Sequence, residues 1–388
     1  MARRKSREVR EPLPKGFWIS WSTVVLDMIG FGIVVPILGR YADRFGATGL
    51  QVGLLFASFS LAQMVFSPIF GRWSDRIGRK PVLIVSLFGS AIGSFILAAA
   101  GSLWMLFIGR LIDGASGGSV SVAQGAVTDI AQPAQRARMI GLLSMAFGVG
   151  FIIGPAIGGL AALGGPHVPF IVAGTLALSN AVAAIFRLPE TKRFDAPIQA
   201  RTKRFSRGWL SVYVVVGFLT MLPFAGFEAT FAIFGKARFA LDEASTAAVF
   251  LFIGLLTAAV HGGLIGPLTA RFGSARLLRI GLACIACGLL TMSSAVVWPV
   301  LLIALALMVV GSGLSTPSLT TLVVNSADDA RRGEVLGVQQ SANAFARTIG
   351  PPVAGLAFDV IGVGAPFALG AIVAVFALLT VVTRIHVD

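Results

Sequence analysis

The amino-acid sequence predicts an all-α membrane protein of twelve transmembrane helices, arranged as two parallel repeats of six. Its mean hydropathy is +0.87, and the 388 residues are 56% hydrophobic and only 12% charged, which is more apolar than a soluble surface allows. The apolar residues form long runs separated by short charged segments, a pattern typical of multi-pass helical proteins. In addition, the second half of the chain repeats part of the first.

The apolar runs define the twelve helices. The first, 17–39, spans 23 residues, roughly 35 Å as a helix, which is enough to cross a bilayer. It follows a basic segment and is longer than the core of a cleavable signal peptide, so we expect it to remain as an anchor. The other eleven helices are expected at about 50–71, 81–100, 103–124, 137–163, 168–187, 208–235, 245–268, 275–294, 299–325, 333–358 and 364–383.

The basic residues predict the orientation in the membrane. Of the 31 Lys and Arg, 25 lie in the termini and in the loops on the same side as the termini. The opposite loops hold only Arg40, Arg44, Lys236 and Arg238. The positive-inside rule therefore places both termini in the cytoplasm, and we expect a monomer in the plasma membrane. The net charge of +14 is spread over these loops, which argues against nucleic-acid binding, since that needs a basic patch on one folded face.

An internal repeat of about 196 residues divides the chain. Residues 136–161 align without gaps with residues 332–357, so that Gly154-Pro155 matches Gly350-Pro351. At nearly the same offset, the stretch at 71–78 matches GPLTARFG at 266–273. Parallel repeats with a site between them support alternating access. The expected domains are a basic cytoplasmic tail (1–16), a first six-helix bundle (17–187), a cytoplasmic linker (188–207) and a second six-helix bundle (208–388).

The sequence contains no catalytic or cofactor signature. Cys284 and Cys287 form a CxxC pattern, but they lie in an apolar helix without a neighbouring His, so they are expected to be packing residues. No nucleophile–base pair, metal cluster or nucleotide-binding signature stands out. We therefore expect a protein that is not an enzyme, needs no cofactor and draws its energy from an ion gradient.

In the first repeat, three ionisable residues lie away from the ends of the predicted helices, where charge is costly and commonly functional. Arg110 and Asp113 are three residues apart in helix 4 and can pair on one face, which continues at helical spacing to Gln124. This pair is either structural or part of a proton relay. Asp27 in helix 1 either carries protons or contacts substrate, or else it caps neighbouring helix ends.

In the second repeat, the candidates lie in helices 7, 8 and 11. Glu228 has no basic residue within four positions on its helix, so it is either a proton carrier or a neutral, hydrogen-bonded side chain. Arg347 shares a stripe with Gln340 and Asn343 that should face the cavity. It either anchors an anionic substrate or holds Glu228 or Asp27 ionised. His261 in helix 8 titrates near neutral pH, but a lone His is often structural.

Helix 5 carries Gly150, Gly154 and Gly158 at four-residue intervals, with Pro155 and Gly159 beside them. Small residues at this spacing allow another helix to approach closely. The spacing itself therefore predicts only close helix packing. A further role for these residues would have to come from a resemblance to known proteins.

Four stretches carry that resemblance. They are LDMIGFGIVVPIL (26–38), GRWSDRIGRKP (71–81), GRLIDGASGG (109–118) and GVGFIIGPAIGG (148–159). In this order and at these helices, the chain resembles the major facilitator superfamily over its whole length, and in particular the twelve-helix drug:proton antiporters that include the tetracycline exporters. The resemblance implies a coupling role for Arg110, an acid at the position of Asp27, and an "antiporter" signature for the helix 5 glycines.

The chain also departs from the tetracycline exporters. They carry acids in helices 3 and 9 that this chain lacks, and their helix 8 histidine lies about one turn earlier than His261. The resemblance therefore does not carry their metal–tetracycline chemistry over to this protein.

The basic residues of the loop at 71–81 are explained by positive-inside topology, which does not explain Asp75 or the glycines. The resemblance implies that this loop and the end of helix 4 form a cytoplasmic gate, made up of Gly71, Asp75, Arg76, Gly78, Arg79 and Asp129. The resemblance implies that Asp75 caps the start of helix 11 near Gly333 and that Arg79 pairs with Asp129. In the second repeat, Ala270, Ser274 and Asn325 replace Asp75, Arg79 and Asp129. The joint loss of the three charges indicates that they work as one unit.

Together these observations predict a proton-coupled antiporter that exports small lipophilic or amphipathic compounds, with Asp27, Asp113 and Glu228 as proton-binding groups. Two alternatives stay open. One is a transporter of an endogenous metabolite or organic anion, read by Arg347 or Arg110. The other is a lipid or glycolipid flippase.

Overall fold

The computed structural model of the chain describes residues 13–130, 133–191, 210–260, 265–326 and 332–385. Within these ranges the chain forms fourteen α-helices and no strand. The helices are α1 (Lys15–Asp43), α2 (Gly49–Ile77), α3 (Arg79–Ala98), α4 (Leu103–Ser116), α5 (Ser119–Ile130), α6 (Pro133–Ala162), α7 (Val168–Arg187), α8 (Leu210–Phe239), α9 (Glu243–Ala259), α10 (Ile265–Phe272), α11 (Ser274–Ser293), α12 (Trp298–Asn325), α13 (Arg332–Val360) and α14 (Ala365–Arg384).

The fourteen helices correspond to the twelve predicted spans, and within the described residues one span, predicted helix 4, is divided. Predicted helix 4 becomes α4 and α5, separated at Gly117-Gly118, because two successive glycines have low helix propensity. Predicted helix 8 becomes α9 and α10, and residues 261–264 between them lie outside the described ranges. Eight of the helices are each long and apolar enough to cross a membrane unaided. The all-α, multi-pass prediction is confirmed.

We call α1–α7 the first half and α8–α14 the second half. The two halves share the same helix contact at equivalent positions. In the first half α1 packs against α6, and in the second half α8 packs against α13. Between the halves, α2 packs along α13, α6 along α9, and α1 contacts α8. Most of the tail at 1–16 and of the linker at 188–207 lies outside the described ranges, so the expected domain limits stay a prediction.

The helix ends define two faces. The termini face contains the start of α1, the loop between α2 and α3, and the end of α14. The distal face contains the end of α1, the start of α2, and the end of α13. A cluster of buried apolar residues near the distal face includes Ile33 and Leu38 from the first half and Ala229 and Ile233 from the second. The two halves therefore share a core toward this face.

Candidate functional site

Asp27 is held by a hydrogen bond from a neighbouring helix. Ser119, the first residue of α5, donates its hydroxyl to Asp27 Oδ2 over 2.6 Å, and the Ser119 residue is only 3% exposed. The division between α4 and α5 places this hydroxyl opposite α1. The sequence analysis missed Ser119, although the Gly-Gly pair before it was a usable signal for a helix break.

Arg110 and Asp113 form the predicted ion pair. Arg110 Nη1 lies 3.4 Å from Asp113 Oδ2, and Arg110 is 1% exposed. Its guanidinium carbon also lies 4.1 Å from the centroid of the Phe59 ring, a favourable arrangement for a cation that has lost water. The ion pair therefore lies on one face of α4 and packs against α2. Among the described residues, no acceptor is found for the buried Arg110 Nε donor.

Glu228 and Arg347 place charges of the second half near Arg110 of the first half. The Glu228 carboxylate is attracted by Arg347 of α13 and by Arg110 of α4, and its Oε1 is buried with no hydrogen-bond partner. Arg347 also lies over Phe31 of α1, 5.9 Å from the ring centroid. Glu228 has no basic residue within four positions on its helix, but Arg347 and Arg110 act on it from α13 and α4, so the alternative in which Arg347 holds Glu228 ionised stays a prediction.

The other predicted cavity residues are more scattered. Gln124 lies in α5, beyond the break at Gly117-Gly118, so the single helical face predicted from Arg110 to Gln124 is wrong. Asn343 is half-buried, whereas Gln340 is exposed nearer the termini face. His261 lies outside the described residues.

The helix 5 glycines, now in α6, pack against α1. A methyl group on Gly154 would lie 2.6 Å from the Cα of Gly32, and one on Gly158 would lie 2.8 Å from the carbonyl oxygen of Ile33. Gly150 meets Met28 in the same way, while Pro155 and Gly159 are also buried. The predicted close approach of a neighbouring helix is confirmed, and that neighbour is the helix that carries Asp27.

Arg79 organises the loop on the termini face. Its Nε lies 2.8 Å from Asp129 Oδ2 and its Nη1 lies 2.7 Å from Asp75 Oδ1, so the predicted Arg79–Asp129 pair is present. Asp75 is 62% exposed in its side chain and pairs within its own half. The capping of α13 near Gly333 therefore stays a prediction for another state.

A further acid, Glu190, holds the same loop and was missed by the sequence analysis. Its carboxylate accepts hydrogen bonds from the backbone N–H groups of Arg79 and Lys80, over 2.9 and 3.2 Å. Gly78, with a φ of +109°, makes the turn that presents them, a conformation that favours glycine. By contrast, a methyl group on Gly71 would meet no atom within 4 Å, and Arg76 is exposed.

On the distal face, polar side chains join the two halves. Arg40 Nη1 donates to the carbonyl oxygen of Leu241 over 2.7 Å and to Thr246 Oγ1 over 2.8 Å. Lys236 forms an ion pair with Asp43. A pocket of about 110 Å³ lies between these residues. The sequence analysis treated Arg40 and Lys236 only as loop charges, because nothing in the sequence indicates contacts across nearly 200 residues.

The fold and these residues can be compared with known proteins. The family model of the Major Facilitator Superfamily matches residues 20–292 and 255–387. The chain is 30% identical over 349 residues to the class C tetracycline resistance protein of Escherichia coli, covering 85% of this chain and 86% of that protein. It is 28% identical to multidrug resistance protein 1 of Bacillus subtilis (strain 168), covering 89% of this chain and 90% of that protein.

Two solved structures share the fold. The human organic anion transporter MFSD10 (TETRAN) superposes with a TM-score of 0.72 at 23% identity, covering 95% of this chain and 100% of that chain. A bacterial homologue of the human lysosomal transporter Spinster, in an inward-facing and occupied conformation, gives a TM-score of 0.74 at 16% identity, covering 95% and 94%. On the family match, the relatives and the fold together, the chain belongs to the major facilitator superfamily of membrane transporters.

Proposed function

We propose that the protein is a proton-coupled antiporter that exports small lipophilic or amphipathic compounds across the plasma membrane by alternating access. The placement of Glu228 in the second half carries the proposal: its Oε1 is buried within electrostatic reach of Arg110 of the first half and of Arg347. Proton binding at Glu228 neutralises one partner of this buried cluster and so changes the force between the halves. The names of the tetracycline and multidrug resistance relatives support drug export.

In the proposed cycle, the described state, in which side chains join the two halves at the distal face, is the one that gives access from the termini face. The positive-inside rule assigns the termini face to the cytoplasm. Glu228 releases its proton in this state, and the carboxylate is then stabilised by Arg110 and Arg347. In the opposite state it takes a proton from outside. Asp27, hydrogen-bonded by Ser119, and Asp113, paired with Arg110, would serve as further proton-binding groups.

The test is transport in proteoliposomes with an imposed pH gradient, using a tetracycline and a lipophilic cation as substrates. We expect Glu228→Gln to reduce gradient-driven transport at least tenfold, because Gln keeps the shape but cannot exchange a proton. Exchange driven only by a substrate gradient should survive. Asp242→Asn is a matched control, since Asp242 is an exposed acid on the distal surface.

Two results would contradict the proposal. One is transport at the same rate after the pH gradient is collapsed with a protonophore. The other is full gradient-driven transport by Glu228→Gln.

A second candidate, export of an organic anion, is favoured by the two arginines at the site. In that case Arg347 binds the substrate carboxylate and Glu228 competes with it for the same guanidinium. Organic anions in the same vesicles separate the two candidates. If only organic anions are transported, and Arg347→Gln abolishes their transport, export of organic anions replaces export of lipophilic compounds as the proposed function.

A further inference from the structure

The start of α2 leaves two backbone donors open within its own half. Thr48 is the N-cap of α2: its Oγ1 accepts from the backbone N–H of Gln51 over 3.2 Å, and Gln51 Oε1 accepts from the backbone N–H of Thr48 over 2.9 Å. This capping box satisfies the donor of the third helical residue. The N–H groups of Gly49 and Leu50 in the same first turn need another acceptor, as every helix start does.

The second half supplies that acceptor. Asp359, one residue from the end of α13, accepts from Gly49 N through Oδ1 and from Leu50 N through Oδ2, each over 2.8 Å. Both carboxylate oxygens are therefore used on one helix start. A negative group at this position also faces the positive end of the helix dipole.

Three glycines bring the two helices close enough for these bonds. A methyl group on Gly49 would lie 2.7 Å from Asp359 Oδ1 and 2.8 Å from the carbonyl oxygen of Gly355. Methyl groups on Gly355 and Gly53 would overlap the backbones of Gly49 and Pro351. The two helices therefore contact each other through their backbones, and this close contact positions the Asp359 carboxylate against the start of α2.

The same helix pair carries an acid at each end. The two helices are antiparallel, because α2 runs from the distal face to the termini face and α13 runs back. Asp75 lies near the end of α2, as Asp359 lies near the end of α13. Asp75 is expected to cap the start of α13 when the termini face closes, whereas here it is exposed and Asp359 is engaged.

We propose that Asp359 is a positioning residue for transport, a latch that holds the distal face closed by capping α2 across the two halves. Opening of the distal face breaks both hydrogen bonds and gives the donors of Gly49 and Leu50 to water. Asp359 and Asp75 then act as alternating caps at opposite ends of one helix pair. The inference rests on the alternating-access part of the proposed function and is independent of substrate and proton coupling.

The test measures the distal opening directly in the full chain in lipid nanodiscs, without substrate. Spin labels are placed at Gly101→Cys and Val296→Cys, which lie in exposed distal loops of opposite halves, in a Cys284→Ala/Cys287→Ala background. Double electron–electron resonance then gives the ratio of distal-closed to distal-open molecules. We expect Asp359→Ala to lower this ratio roughly five- to tenfold, which lies within the range of a lost N-cap, and Asp359→Asn to lower it less, because Asn keeps one acceptor oxygen but loses the charge.

Two further variants separate the latch from an ordinary helix cap. Asp242 is the N-cap of α9 and bonds only within its own half, to Ser245. We expect Asp242→Asn to leave the ratio unchanged, although it also removes a capping carboxylate on the distal face. Asp75→Asn should shift the ratio the opposite way, and the double variant Asp75→Asn/Asp359→Asn should return toward the wild-type value.

The outcomes are distinguishable. An unchanged ratio in folded Asp359→Asn and Asp359→Ala overturns the latch while leaving alternating access intact. An equal shift in Asp242→Asn also overturns it, because the effect is then a general loss of capping. If the unsubstituted protein shows one distal distance at every pH and with every substrate, both alternating access and the latch fail. Gradient-driven transport, measured on the same samples, reports separately on the proposed export function.

Discussion

The two halves of the molecule pack equivalent helices in different ways. In the first half, Gly150, Gly154 and Gly158 of α6 meet the backbone of α1. In the second half, the repeat places Ala346, Gly350 and Ala354 at the matching positions of α13, and the Cβ of Ala354 would lie 3.0 Å from a methyl group on Gly226 of α8. The α1–α6 contact therefore depends on glycine at all three positions, whereas α8–α13 tolerates side chains at two.

The two halves also differ in how their buried charges are paired. The first half pairs Arg110 with Asp113 and Arg79 with Asp129 on its own helices. The second half contributes Glu228, which is attracted both by Arg347 and by Arg110 of the other half. The first half thus satisfies most of its buried charge internally, while the charge balance of Glu228 depends on how the halves are placed.

The largest expected effect follows from breaking the internal pair of the first half. Arg110→Met leaves the Asp113 carboxylate buried without its cation, and we expect a loss of about 3–5 kcal/mol in stability, measured by thermal unfolding in detergent. Arg347→Met should cost less, because Arg347 is only half-buried. The double variant Arg110→Met/Asp113→Asn should recover part of the loss. Equal instability of the single and double variants would show that charge is not the cause.

The next effect concerns the glycine contact. Gly154→Ala places a methyl group against Gly32 and should cost about 1–3 kcal/mol through overpacking. Gly148→Ala on the same helix is the matched control, since a methyl group there meets no atom within 4 Å, and it should be neutral or slightly stabilising. Thermal unfolding of both variants checks the prediction. Equal midpoints for the two variants would argue against the close α1–α6 approach.

A smaller effect is expected at the termini-face loop. Asp129→Asn weakens the bond to Arg79, and because both side chains are partly exposed we expect about 1 kcal/mol or less, with reduced gradient-driven transport. The reciprocal change, Asn325→Asp in the second half, should not stabilise the protein, because Ser274 stands where Arg79 does. A gain from Asn325→Asp would mean that the second copy can still act as a charged gate.

The smallest effect is a pH dependence at the start of α9. Hydrogen bonds from the Ser245 hydroxyl and backbone N–H hold the pKa of Asp242 below its ordinary value of 3.8. This cap therefore contributes stability at pH values above about 4 and loses it as the pH falls through the lowered pKa. We expect hydrogen exchange at the start of α9 to speed up only under such acid conditions. Asp242→Asn should abolish that pH dependence.

Much of the fold was predictable because bilayer-length apolar runs are local properties of a sequence. The division of predicted helix 4 was not predicted, because hydropathy averages over a break as short as Gly117-Gly118. The Arg110–Asp113 pair was predictable from helical spacing alone. In the same way, the glycine spacing of α6 predicted a close neighbour without saying which one.

The contacts that were missed all depend on tertiary placement. The bonds of Ser119 to Asp27 and of Asp359 to the start of α2 join residues 92 and 309 to 310 positions apart. No periodicity within one helix carries that information. The attraction between Glu228 and Arg110 was not predicted for the same reason, since Arg110 comes from a helix of the other half.

The segment that follows α7 has a practical consequence. Leu188 is 3% exposed and packs into the core of the first half, and Glu190 binds the backbone of the loop between α2 and α3. The described residues of the predicted linker, 188–191, thus belong structurally to the first half. A version of the protein made as two polypeptides, with the break after Thr191, keeps this clamp on the first polypeptide. Such a split form would allow each half to be labelled isotopically on its own.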